Sequence, residues 1–398
     1  MQISGSVDPG FEIVRDQFRK NFDEGNEIGA ALCVHVKGRR VLDLWGGIAD
    51  PVEDRPWTGQ TLQMIYSGTK PVLASCIHLL AQRNLIHLDA NVAEYWPEFG
   101  ATGKKEITIR SLLCHKAGLP VVDRTFDLSD LIAREPVISA LERQQPAWRP
   151  DSKHGYHPMT YGWLLDEVVR RVTGRGIGQF FSEEFAGPLG LDFHIGLPGD
   201  SRDRVSRSVE ASEDKNRTAG NLDKFPSILS EMFEEYLREY ARPDSLTRRA
   251  FNMTKTPLDF NDPLVQAAEL PSTNGFTTAR SLSGIYSSLI GPLNGVQILT
   301  SETMEIATEE HTNGVDEILR WRTRGALGFD LPQPLAPWGS PSSFGFRGHG
   351  GSLAYACPQT GVSFAYVMNR LVTPMQRGIW DDRASQLARA VNTALEKL

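Results

Sequence analysis

Phe11, Val14, Phe18 and Phe22 recur at three- and four-residue intervals through residues 10–23, the spacing of an amphipathic helix. Two β-rich runs follow, Ala30–Val36 and Arg40–Leu44. Lys37-Gly38-Arg39 separates them as a hairpin turn, and Trp45-Gly46-Gly47 is the expected close of the second strand. From Leu62 to Asn84 the apolar positions return every three or four residues. Pro71 falls in the first turn of that predicted helix, where a backbone N–H has no intrahelical partner to lose. Further helices are predicted over 128–143, 160–173, 178–186, 278–290 and 301–310, with Gly174 as a stop signal after Thr173.

The C-terminal third changes character. Ala326–Leu331, Ser352–Cys357 and Val362–Met368 read as strands, and 378–397 as a closing helix. Strands at both ends and helices between them imply an α+β fold. In it the N- and C-terminal strands share one antiparallel sheet flanked by helices, and the middle forms a mostly helical lobe. The expected division is one catalytic domain over 1–398. Its sheet lobe comes from about 1–60 and 271–398, its helical lobe from 61–198, and a charge-dense cap or insertion from 199–270, with one amphipathic helix around 227–241.

The chain has 398 residues, 40% hydrophobic and 23% charged, which suits a folded globular body and excludes a disordered chain. Lys+Arg 42 against Asp+Glu 49 gives a net charge of −7, and no basic stripe marks a nucleic-acid partner. No apolar run reaches the ~18 residues of a membrane span. MQISGSVDPGF lacks the basic and apolar regions of an export signal, so a cytoplasmic location is expected. Cys33, Cys76, Cys114 and Cys357 form no C-x-x-C pair, and are expected as reduced, mostly buried thiols.

Ser67-Gly68-Thr69-Lys70 is the first group able to do chemistry. If Ser67 opens a helix, Lys70 lies one turn on and on the same face. A lysine desolvated there has its pKa lowered and can take the serine proton, making a nucleophile without histidine. The same four residues also describe an N-cap serine ahead of a surface lysine. Other constellations are missing. No G-x-S-x-G, Walker loop or H-E-x-x-H occurs, and His154 and His157 have no carboxylate at ligand spacing. Neither a metal nor a cofactor is called for.

Four ordered blocks set the serine in context: MIYSGTKP, ITIRSLLCHKAGLP, GYHPMTYGWLLDEVVRRVTGR and GHGGSLAYACPQTGVSFAYVMNR, with FAGPLGLD and LPSTNGFTTARSLSGIY between the last two. Together they resemble the serine β-lactamase and penicillin-binding-protein superfamily, and most of all its class-C-like esterase branch, the family VIII carboxylesterases. The resemblance spans about residues 10–395 and is weakest over 199–270. It implies an acyl-enzyme on Ser67, with Lys70 as partner base and Tyr156 as proton shuttle. The shuttle requires a tyrosine pKa lowered by flanking cations, for which Lys70, His349 and His157 are the candidates. His349-Gly350-Gly351 is expected in the place of the family's Lys-Thr-Gly, on the edge strand beside the site. The N–H groups of Ser67 and Ser352 would form the oxyanion hole, and His157, His349, Gly350 and Gly351 complete the substrate-binding set.

Two departures bear on the substrate. Pro158 stands where the lactamases carry an asparagine amide, and His349 where they carry a lysine. Both remove polar grips on a peptide-like substrate and leave the acyl-transfer groups standing, so the expected substrate is a small carboxylic ester. The same three residues would also serve an acyltransferase of secondary metabolism, or a weak β-lactamase or D-amino-peptide hydrolase. A non-catalytic binding protein on this fold is a further reading.

Overall fold

The computed structural model describes residues 2–211, 227–333, 338–372 and 382–397, and for 227–232 the backbone alone. Glu12–Asp23 (α1) is the expected first helix, and it buries Val14, Phe18 and Phe22. Gly29–Val36 (β2) and Arg39–Asp50 (β3) are the expected hairpin, but β3 runs on through Trp45-Gly46-Gly47 to Asp50. Pairing on both flanks explains the extension. Ile3–Val7 (β1) lies antiparallel along Leu42–Gly46, and Gly29 and Ala30 of β2 face Gly47 and Gly46, so the backbone there finds partners on either side.

Phe344–Arg347 (β4), Leu353–Cys357 (β5) and Val362–Met368 (β6) complete the sheet. Its order is β1-β3-β2-β6-β5-β4, with Arg55–Pro56 paired to β3. The join between chain ends is β2 with β6, antiparallel from Val36 opposite Val362 to Ala30 opposite Met368. The fold is α+β, as the order of elements implied.

Alternation along the two central strands makes the layers. Leu32, Val34, Phe364 and Tyr366 pack with Phe18 of α1 and with Leu387 and Val391 of Asp382–Leu395 (the helix α7). On the other face, Ala31, Cys33, Ala365 and Val367 join Leu282 and Ile285 of Ala279–Ser288 (α6). Each large apolar side chain so buried contributes about 1.5–3 kcal/mol. All four cysteines are buried and carry free thiols.

The helix expected from Leu62 begins later. Gln63–Met64 pairs as a strand with Gly275–Thr277, Tyr66–Thr69 forms a 3₁₀ turn, and the α-helix is Lys70–Gln82 (α2), with Pro71 in its first turn. From Lys70 to Leu80 this helix is buried on every side, the pattern of a central rather than a surface helix. Thr160–Thr173 (α3) ends as expected at Gly174, in the left-handed conformation. The run 128–143 is two helices, Leu128–Ala133 and Glu135–Arg143, broken at Arg134 with φ +67°. Pro136 forbids a continuous ladder there, and Arg134 turns back to pair with Asp166 and Glu167.

Ala326–Leu331 is not a strand. Isolated bridges join Gly325 to Asp330 and Asp330 to Gly345, and Gly328 sits between at φ +91° against Ala74 of α2. Its apolar residues fill the helical core instead of alternating across a sheet. In the charge-dense stretch, Ser227–Ala241 (α4) is the expected helix and Leu246–Phe251 (α5) follows it, while 212–226 lie outside the described residues. Among the described residues no helix is long and apolar enough to cross a membrane.

Candidate active site

The turn carrying Ser67 is held from several directions. Tyr66, just before it, takes φ +49°, a conformation unfavourable for a bulky side chain. Surrounding bonds enforce it. The Thr69 hydroxyl donates to the Tyr66 carbonyl at 2.6 Å and accepts the Gly275 N–H at 2.9 Å. The Ile65 N–H donates to the Gly275 carbonyl, and the Gly68 N–H to the Ile65 carbonyl, each at 2.9 Å. Ser67 is thereby presented half-buried above the N-terminus of α2.

Lys70 Nζ lies 3.0 Å from Ser67 Oγ and donates to the Ser272 carbonyl at 3.2 Å. The residue is fully buried. Burial holds its pKa well below the ordinary lysine range, with Asp330 opposing, so the neutral amine that can accept a proton is within reach at neutral pH. Ser272 braces this corner. Its hydroxyl donates to the Met159 carbonyl at 2.9 Å and accepts the Gly162 N–H at 2.6 Å, tying the lysine's acceptor to α3.

Tyr156 completes the cluster, donating its hydroxyl to Ser67 Oγ at 2.7 Å. Its backbone N–H donates to the buried Asp316 carboxylate at 2.8 Å, and its ring meets those of His115 and Phe346. Lys70 Nζ lies 4.9 Å from the ring centroid. The expected lowering of the Tyr156 pKa is reversed. Burial raises it, Asp330 and Asp316 add to the rise, and the Ser67 bond opposes. Tyr156 therefore stays a phenol and a donor, and Lys70 is the group able to act as base.

The histidines fall elsewhere than expected. His157 is fully enclosed, with Nδ1 2.6 Å from the Gly155 carbonyl, while Nε2 accepts the Leu119 N–H at 2.9 Å. Those two bonds fix one neutral tautomer, and burial takes the ring's pKa down to about 3. It neither supplies a cation to Tyr156 nor faces a substrate; it clamps the loop that bears the tyrosine. His115, expected as a core or surface residue, accepts the His157 N–H at 3.2 Å and packs on the Tyr156 ring.

His349, Gly350 and Gly351 are not on the edge strand but in the turn from β4 to β5. The Gly348 N–H donates to the Ser352 carbonyl at 2.9 Å, so the Ser352 end of that turn faces inward between β4 and β5. The outer edge belongs to β4. There the Gly345 N–H donates to the Asp330 carbonyl at 3.0 Å, and alternation turns the Arg347 N–H to the same side. Gly348 passes so close to the Ile65 carbonyl that a Cβ would stand 2.2 Å from it, which brings the end of β4 against the Ser67 turn. His349 packs edge-on against Tyr66 at 5.2 Å, half-exposed, with Nε2 3.9 Å from Glu210.

Asp316, Asp330 and Arg383 escaped sequence reasoning. The two carboxylates stand alone in apolar or mixed runs with no partner at a telling spacing. Arg383 belongs to an unremarkable amphipathic helix, yet it is buried and ion-paired to Glu27 at 2.7 Å, and donates to the Gly350 carbonyl at 3.0 Å.

A serine bridged by a buried lysine and a tyrosine, beside the edge of an antiparallel sheet, is the geometry the resemblance implied. The beta-lactamase family model matches residues 15–389. The chain belongs to the beta-lactamase family. Within reach of this beta-lactamase-family chain is Esterase/beta-lactamase LipL of Mycobacterium tuberculosis, 34% identical over 94% of this chain and 84% of that protein. Among solved structures, a family VIII carboxylesterase is 32% identical with a TM-score of 0.86, covering 99% of this chain and 100% of the other. EstA from Arthrobacter nitroguajacolicus Rue61a is 27% identical with a TM-score of 0.85, over 100% and 99% of the two chains.

Proposed function

We propose that this member of the family hydrolyses small carboxylic esters through a covalent acyl-enzyme on Ser67. The observation that carries the reading is the convergence of Lys70 at 3.0 Å and Tyr156 at 2.7 Å on one serine oxygen, with the lysine buried. Family membership and relatives named as esterases support it.

Neutral Lys70 takes the Ser67 proton as Oγ attacks the ester carbonyl carbon. The Ser67 N–H and the backbone of edge strand β4 face the oxygen on which negative charge develops. As the C–O bond breaks, Tyr156 gives its hydroxyl proton to the departing alkoxide and recovers one from the Lys70 ammonium. Water then attacks the acyl-enzyme with Lys70 again as base, releasing the acid and restoring Ser67. The chain is on this reading a carboxylesterase-type serine hydrolase. No step requires a metal or cofactor.

A fluorophosphonate probe followed by peptide mass mapping tests the nucleophile. Label on the Ser67 peptide, together with turnover of a p-nitrophenyl ester ladder from acetate to decanoate, is the expected result. Label elsewhere, or no turnover along the ladder, overturns the reading.

A further inference from the structure

Behind the Tyr156 ring lies a cavity of about 40 Å³, with Cys114, His115, Asp316, Gly328, Asp330 and Phe346 in its wall. A water needs roughly 10–15 Å³ of such space, so the cavity suits a few waters and no acyl chain. It is polar on several sides. The Tyr161 hydroxyl is buried without a hydrogen-bond partner among the described residues, 2.9 Å from the place a Cβ on Gly328 would take. Asp330 is fixed here by its backbone, exchanging both hydrogen bonds with Gly345 of β4 at 2.8 and 3.0 Å.

We propose that Asp330 is a positioning residue for the reaction: its carboxylate stabilises the ammonium form of Lys70, and so sets the pH at which Lys70 becomes a base. This rests on Lys70 being the base of the preceding section. Burial drives Lys70 down, and Asp330 is the charge that draws it back. Asp330 is itself pushed up to about 7 by burial, with Arg347 and Lys70 drawing it down and Asp316 pushing it further up. Two groups that influence each other in this way titrate as a pair.

The other groups around them do not take over the role. His115 and His154, on the cavity wall, are kept neutral chiefly by burial. Tyr156, Tyr161 and Tyr286 are held as phenols, again chiefly by burial. Asp316 is committed to the N–H groups of Tyr156, Ile318 and Leu319, and Arg324 on the wall pairs with Glu310. The pocket also gives the ionised Asp330 room for hydration, without which a buried carboxylate is costly.

Asp330→Asn keeps the size of the side chain and both backbone bonds to Gly345. The test is the pH profile of Ser67 labelling by a fluorophosphonate and of kcat/KM for p-nitrophenyl acetate, in wild type, Asp330→Asn and Asp330→Glu. Without the carboxylate Lys70 loses the charge that favours its protonated form, so its pKa falls. The acid limb of both profiles then moves to lower pH by about one unit, while Asp330→Glu restores it toward wild type. Superimposable profiles in all three proteins would overturn the proposal. So would a shift of equal size in Asp330→Glu, because that outcome reports packing rather than charge. Should Asp330→Asn fail to fold, the pKa of Lys70 read by NMR of the labelled amine in folded Asp330→Glu and wild type decides. A common value supports the proposal, and a fall in the Glu variant overturns it. If wild type takes no label at Ser67, or Lys70→Ala keeps the acid limb, the assignment of the base has failed and not the inference from it.

Discussion

Tyr156 reaches Ser67 across 89 residues of chain, its hydroxyl 2.7 Å from Oγ while its own N–H is anchored to Asp316. The two ends of the tyrosine are thus fixed by different parts of the molecule, and its phenol has little freedom to leave the serine. Lys70 is fixed just as firmly by the Ser272 carbonyl. Preorganisation of this kind removes the entropic cost of assembling nucleophile, base and donor at each turnover.

Ser67→Ala removes the nucleophile and little else, since Ser67 Oγ is bonded only to the two partners it serves among the described residues. Turnover of a short p-nitrophenyl ester is expected to fall about 10⁴-fold or more. Far-UV circular dichroism and Tm should stay close to wild type. Retention of a tenth of the activity would refute the assignment.

Lys70→Ala and Tyr156→Phe should each cripple acylation, and the double variant should cost far less than their sum. Groups on one proton path fail as a unit. The pH dependence has a definite sign. The folded Lys70 pKa lies below its ordinary value, so the base is neutral above that folded pKa and activity is lost as pH falls through it. A wild-type kcat/KM that rises only in the ordinary lysine range, or strict additivity in the double variant, would remove Lys70 from the path.

The parts of the site carried by short spacings were legible in the chain. Ser67 and Lys70 are one helical turn apart, and GYHP marks the tyrosine loop. The sheet was legible because alternation in Ala30–Val36 and Val362–Met368 survives burial on both faces. What depends on register was not. GHGG reads like strand sequence leading into Leu353, and only the Gly348-to-Ser352 hydrogen bond shows that it is the turn. His157 beside the tyrosine looks chemical until Leu119 and Gly155, supplied by other parts of the fold, consume both ring nitrogens. Asp316 and Asp330 matter through partners brought from α2, β4 and the tyrosine loop, and no local pattern reports such a meeting.

Arg383→Ala should destabilise the protein by about 3–5 kcal/mol, the usual result of leaving one member of a buried ion pair uncompensated. Glu27 would keep its charge in a fully buried position, and the Gly350 and Asn26 carbonyls would lose a donor. Urea unfolding checks the size of the effect, and Arg383 with Glu27 replaced together by Met and Gln should recover a substantial part of it. A loss below about 1 kcal/mol, the usual worth of an exposed pair, would show that this pair is not the fastening between α7 and the 348–352 turn.

Esters should outrun β-lactams by roughly 10³-fold or more in kcat/KM, because the site lacks the partners a lactam's polar edge requires. Pro158, next to the tyrosine loop's clamp, has no side-chain amide. Phe344, Gly345 and Phe346 make up most of the edge strand, with neither a lysine nor a hydroxyl among them. His349 does not fill that gap, since it sits in the turn beyond the strand with Glu210 3.9 Å away. A lysine introduced there would find the Glu210 carboxylate as its nearest anion before it found a substrate. His349→Lys is therefore expected to leave the ratio of p-nitrophenyl butyrate to nitrocefin turnover within about threefold of wild type, less than the ~1.4 kcal/mol that a tenfold change represents. Measuring both substrates on both proteins separates the two halves of the argument. Nitrocefin hydrolysed as fast as the butyrate by wild type would refute the account of the edge strand. A tenfold gain on nitrocefin in His349→Lys would instead bring the turn to the substrate's carboxylate, and would return His349 to the position its sequence block suggests.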